Sequence, residues 1–170
     1  MDFAITALPR SGTAWASVWL MDGDALCIHE PFAHHTPEQL VAYAPGRRWG
    51  VACTALWRAP KFLASLKCPY VILDRNIEEV RRSVQELGLP PLSEELIAKF
   101  DLLPGPRFDH TDLFDLDGAL EIWSILRPDR LMDVARWRLL CEMKIQVDFY
   151  KWNPDPALMR DMLVRLTRGM

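Results

Sequence analysis

Residues Phe3-Ala4-Ile5-Thr6-Ala7-Leu8 form an unbroken apolar run closed by Pro9, Ser11 and Gly12. A run this short, without polar–apolar alternation, fits a strand covered on both faces, as in a parallel sheet. Tyr70-Val71-Ile72-Leu73 repeats the pattern and closes on Asp74-Arg75. Parallel strands need crossover connections, and the intervening sequence supplies helical ones. Trp15, Val18 and Trp19 recur at helical spacing, giving a helix from about Thr13 to Met21. After Asn76, a capping residue, Ile77, Val80, Val84 and Leu87 do the same until Gly88 and Pro90 stop the helix.

The remaining elements follow the same alternation. Ala25–Ile28 reads as a strand ending at His29-Glu30-Pro31, and Pro37–Tyr43 as a helix capped by Thr36. Trp49–Ala55 reads as a third strand, Pro60–Leu66 as a short helix, and Ser93 opens another helix that ends before Pro104. The polar, turn-rich stretch Pro104–Gly118 is expected to be a loop or lid. A long helix is expected from Asp129 to about Met143, then a strand at Ile145–Tyr150 and a final helix opened by Asn153-Pro154-Asp155. The expectation is an α/β fold, a three-layer α/β/α sandwich around a mostly parallel central sheet.

Composition limits what such a fold can do. With 170 residues the chain is expected to form a single domain, at roughly 100–200 residues per domain. A formal charge of −3 offers no global attraction to nucleic acid or to an anionic membrane, so neither is expected as a partner. No apolar stretch approaches the ~20 residues of a membrane span. The opening Met-Asp-Phe-Ala-Ile lacks the basic region of a signal peptide, so a cytoplasmic location is expected. Of the four cysteines, Cys27, Cys53 and Cys68 lie in or beside apolar runs and read as packing residues. His34 and His35 are adjacent and would point apart on a regular element, so no metal site is expected.

Ligands of open parallel sheets bind at the carboxyl ends of strands, and three segments rich in reactive side chains stand just there. The first, Pro9-Arg10-Ser11-Gly12-Thr13-Ala14-Trp15, is a strand–turn–helix junction with a cation, hydroxyls and backbone N–H groups. It is open to two readings, an anion cradle or a tight turn. It is not an ATP-type loop, because a second glycine and the lysine are missing. The second places Arg75 at a strand end and Ser83 eight positions later on the following helix. A phosphate touching both would lie along the helix flank. The third is His29-Glu30-Pro31-Phe32, with two candidate bases.

Pro9–Trp15 resembles the 5′-phosphosulfate loop of the sulfotransferases, written P-[KR]-S-G-T-T-W, and Arg75 with Ser83 is similar to that family's 3′-phosphate motif. The resemblance implies a P-loop-like architecture and 3′-phosphoadenosine 5′-phosphosulfate (PAPS) as donor, without a metal. It implies that Arg10 neutralises charge as sulfuryl leaves and that Ser11, Gly12 and Thr13 hold the 5′-phosphate. Trp15 would stack on the adenine, although its spacing equally suits the core. Ala14 replaces the family's second threonine, and no RKGxxG element occurs among these residues. Glu30 resembles the catalytic Glu-Pro of several carbohydrate and bacterial sulfotransferases, with His29 as rival base. The implied reaction moves sulfuryl to a hydroxyl or amine of a small-molecule or carbohydrate acceptor. Two other readings remain: a non-catalytic nucleotide-binding relative, and a small P-loop kinase whose Tyr70–Asp74 would be its Mg²⁺-organising strand. Neither the acceptor nor the oligomeric state is legible, although seven tryptophans leave room for an exposed apolar patch.

Overall fold

The computed structural model describes residues 1–143. Within them the chain builds β1 (Phe3–Ala7), α1 (Thr13–Leu20), β2 (Ala25–His29), α2 (Pro37–Ala42), β3 (Arg48–Cys53) and α3 (Pro60–Ser65). It continues with β4 (Tyr70–Asp74), α4 (Ile77–Glu86), α5 (Glu94–Asp101), β5 (Arg107–Asp109), α6 (Leu116–Leu126) and α7 (Val134–Glu142). The five strands form one sheet in the order β2-β3-β1-β4-β5, and every pairing is parallel. In register, Ile5 stands between Ala52 of β3 and Val71 of β4.

Both faces of β1 are covered, as its uniform apolarity requires. Phe3, Ile5 and Ala7 join α1, α6 and α7 in one core through Trp15, Trp19, Ile122, Trp123, Trp137 and Leu140. Ala4 faces the opposite layer, where Leu40 of α2 and Phe62 and Leu63 of α3 pack on Trp49, Val51 and Cys53. The same layer continues under α4 and α5, with Val80, Val84 and Phe100 on Leu8 and Ile72. The architecture is three-layered α/β/α. Side-chain caps support the helices at Thr36, Asn76 and Ser93, the last two accepting from backbone N–H groups of α4 and α5.

Two expectations change. Pro104–Gly118, read as a loop or lid, instead carries β5, a 3₁₀ turn over His110–Leu113 and the start of α6. Leu113 is fully buried and anchors the stretch to the core, while its other residues are half-buried or exposed. The helix expected from Asp129 begins only at Val134, where Asp133 accepts from the N–H of Arg136. The strand at Ile145–Tyr150 and the helix after Asn153 lie outside the described residues. Among the described residues no helix is long and apolar enough to cross a membrane.

The end of the sheet away from the strand exits is tied by a buried guanidinium. Arg127 is fully buried, lies over the rings of Phe3 and Trp123, and pairs with Asp24 at 3.2 Å and Asp129 at 3.6 Å. Phe3 owes its place to Gly50, its register partner on β3. A Cβ on Gly50 would lie 2.5 Å from the Phe3 carbonyl oxygen and closer still to the ring. Overpacking of this kind costs about 1–3 kcal/mol. Gly50→Ala is expected to destabilise the fold by that amount, read as a lower urea midpoint with an unchanged m-value in tryptophan fluorescence.

Candidate functional site

The chain leaves β1 toward β2 and leaves β4 toward β5, so the two connections diverge above the β1–β4 pair. A crevice outside the carboxyl ends of the strands opens at such a point. The turn from β1 into α1 sits there, and its backbone is unusual. Arg10 has φ 69° and Gly12 φ 84°, both left-handed. At Gly12 a Cβ would also lie 2.9 Å from Leu113 Cδ1, so conformation and space together favour glycine.

Gly12 caps α1 without a side-chain hydrogen bond, and the adjacent Ser11 is fully buried. The Ser11 hydroxyl has no hydrogen-bond partner among the described residues. Buried hydroxyls are ordinarily paired, and an orphan beside a helix N-terminus fits a place that an anion completes.

The two arginines singled out from the sequence meet at this turn. Arg10 Nε donates to Ser83 Oγ on α4 at 3.0 Å. Arg75, at the exit of β4, donates from Nη1 to the Arg10 carbonyl oxygen at 2.5 Å and from Nε to Glu79 at 3.0 Å. Arg10, Arg75 and Ser83 therefore form one cluster at this turn. Arg81 is engaged elsewhere, with Glu78 and Glu94 on the solvent side.

On the β2 side of the same helix N-terminus lies a second cluster. Thr13 Oγ1 is 3.3 Å from His29 Nε2 and donates to Glu30 Oε1 at 3.5 Å. Glu30 has φ 46°, another left-handed residue, and its carboxylate is held from below by β3. The Thr54 N–H donates to Oε1 at 2.8 Å and the Cys53 thiol to Oε2 at 3.4 Å. His29 Nε2 stands 3.6 Å from Glu30 Oε1. Burial holds the His29 imidazole below its ordinary pKa, partly opposed by the Glu30 charge, so its neutral form is favoured. Burial, reinforced by the Glu30 charge, pushes the Cys53 thiol up to about 12, which keeps it a hydrogen-bond donor.

Two residues from the loop take other roles. Trp15 is 4% exposed, donates its indole N–H to the Leu140 carbonyl at 3.0 Å and packs on Trp19 and Phe114. Its ring belongs to the core, not to an adenine subsite, because α7 covers it. Ala14, half-buried, contributes a carbonyl that accepts from Ser17. Asp74, the candidate Mg²⁺ organiser of the kinase reading, pairs with Arg107 at 2.5 Å.

Sequence spacing gave no sign of Cys53 and Thr54 as holders of Glu30. Both stand at the carboxyl end of the strand beside β2, and that adjacency, once the strand order is known, is the signal for them.

The lowered His29 pKa has a consequence for stability. The unfolded state binds a proton near the ordinary value of 6.5, whereas the folded state resists it. Stability is therefore expected to fall as pH drops from 6.5 to the lowered folded value, and His29→Gln to flatten that limb in a pH series of melting temperatures. Asp109 acts lower on the scale. Donors from Thr111 hold its carboxyl below 3.8, so its stabilisation persists above 3.8 and is lost as pH falls through the lowered value.

Compared with known proteins, the chain matches no family model, no curated protein and no solved structure.

Proposed function

We propose that the crevice binds PAPS and that the protein transfers its sulfuryl group to a hydroxyl or amine. The observation that carries this reading is the convergence of Arg10, Arg75 and Ser83 on the turn whose buried Ser11 hydroxyl is unpartnered. Two cations and two hydroxyls at one helix N-terminus suit an oxyanion-rich ligand, and the resemblance of Pro9–Thr13 to a phosphosulfate loop points to the donor. The donor supplies the electrophilic sulfur and a bisphosphate leaving group.

In this reading the chain's own residues divide the work. Arg10 and Arg75 hold negative charge on the β4 side, without a metal, by preorganised donors. Glu30, with His29 beside it, stands on the β2 side to take the proton that the acceptor loses as its oxygen or nitrogen bonds to sulfur. Thr13 lies between the two clusters and reaches the base side. Asp74, which a kinase reading would give to Mg²⁺, is paired with Arg107.

Ligand choice tests the donor. Adenosine 3′,5′-bisphosphate (PAP) is expected to raise the melting temperature more than ATP, with little effect of Mg²⁺. Mg²⁺-dependent stabilisation by ATP and none by PAP would establish a kinase instead. Calorimetric titration of variants then locates the 3′-phosphate. Arg75→Ala is expected to weaken PAP binding by about 1.5–3 kcal/mol and Ser83→Ala by about 0.5–1.5 kcal/mol. Both losses should shrink for adenosine 5′-phosphate, and equal losses for the two ligands would make the pair structural.

Glu30→Gln separates binding from chemistry, because the amide oxygen can still accept from Thr54. The variant is expected to keep PAP affinity and to lose transfer by at least about a hundredfold, the lower edge of general-base contributions. His29→Gln should lose much less, and the reverse ranking would move the role to His29. A wild-type protein that binds PAP but transfers to no phenol, sugar or amine would be a non-catalytic relative.

A further inference from the structure

The side of the sheet that carries His29 and Glu30 also carries an open groove. It runs between α2 and α3, lined by Pro37, Glu38, Val41, Ala59, Lys61 and Phe62, and has a volume of about 540 Å³, within the range of small-molecule sites. Both helices follow strands that exit at the carboxyl edge, α2 after β2 and α3 after β3, so their first turns stand at the edge where Glu30 stands. One turn of chain joins the groove to Glu30. The 3₁₀ turn Pro31–Ala33 follows it immediately, and Phe32 of that turn packs edge-on against Phe62 of the groove, with ring centroids 5.8 Å apart.

The lining suits one kind of ligand. Val41 is 72% exposed and Phe62 forms part of the floor, so an apolar body would gain by covering them. Glu38 and Lys61 carry opposite charges, so neither a polyanion nor a polycation is selected by the lining as a whole. The other polar side chain of the lining is Ser65, whose hydroxyl donates to the Phe62 carbonyl at 2.7 Å, and a sugar needs several free partners to replace its hydration.

We propose that this groove is the acceptor subsite and that the acceptor is an alcohol or amine with an aryl or alkyl body rather than a sugar. This rests on the sulfuryl-transfer reading and narrows it. The body lies between α2 and α3 and the hydroxyl or amine points back toward the Phe32 turn and Glu30.

Binding of 2-naphthol and of glucosamine to the full chain, by calorimetry in the presence and absence of PAP, tests this. Val41→Glu is the variant, since an exposed position tolerates it, and its melting temperature serves as the folding control. Naphthol is expected to bind the wild type, to bind Val41→Glu about tenfold more weakly, and to leave PAP affinity unchanged in both. Equal naphthol binding by the two proteins, no naphthol binding at all, or tighter binding of glucosamine would overturn the groove assignment. PAP binding without naphthol binding sinks the groove and leaves the transfer reading standing. Val41-dependent naphthol binding without PAP binding sinks the transfer reading, and the acceptor role with it.

Discussion

The structure depends on β1 having no free surface except its carboxyl end. Hydrogen bonds to β3 and β4 close both of its edges, and α1, α6 and α7 on one face and the second layer on the other close the rest. Every residue from Phe3 to Ala7 is buried. A strand so enclosed can present polar chemistry only where it ends. Polar side chains within it would be stranded, as the unpartnered Thr6 hydroxyl illustrates. The concentration of Arg10, Ser11, Gly12 and Thr13 immediately after β1 is the counterpart of that enclosure.

From the β1 exit the candidate site spreads in two directions set by strand order. Toward β4 the chemistry is cationic, with Arg10 and Arg75 sharing one turn. Toward β2 it is acid–base, with Thr13 reaching His29 and Glu30 across the end of β3. The N-terminus of α1 divides the halves. In the proposed reading, charge stabilisation and proton transfer would come from different crossover connections, so each could be altered without rebuilding the other.

Much of this was legible from local sequence. Apolar runs located β1 and β4 because burial on both faces leaves no room for polar alternation, and capping residues located the starts of α2, α4 and α5. The place of Ser83 on the flank of α4 beyond Arg75 was legible because helix geometry converts sequence spacing into distance. Long-range partners were not. Arg10 and Ser83 are 73 positions apart, and their contact depends on β1 lying beside β4. β5 escaped because only three residues pair, none of them fully buried, so no apolar run marks it. α6 did carry a signal, Ala119, Ile122, Trp123 and Leu126 at helical spacing, but the turn-forming residues before it masked its start. Trp15 had the spacing of a core residue, and the core is where it lies.

Arg10 and Glu30 are the non-glycine residues with positive φ among the described residues, and each belongs to one half of the site. A side chain in that region of backbone space costs of order 1–3 kcal/mol and persists only where surroundings enforce it. Glycine would relieve the torsion at either position and erase the guanidinium or the carboxylate. A library of this protein enriched for heat resistance alone would therefore drift toward glycine or asparagine at positions 10 and 30. The resilience gained would come from dismantling the crevice, one half at each position.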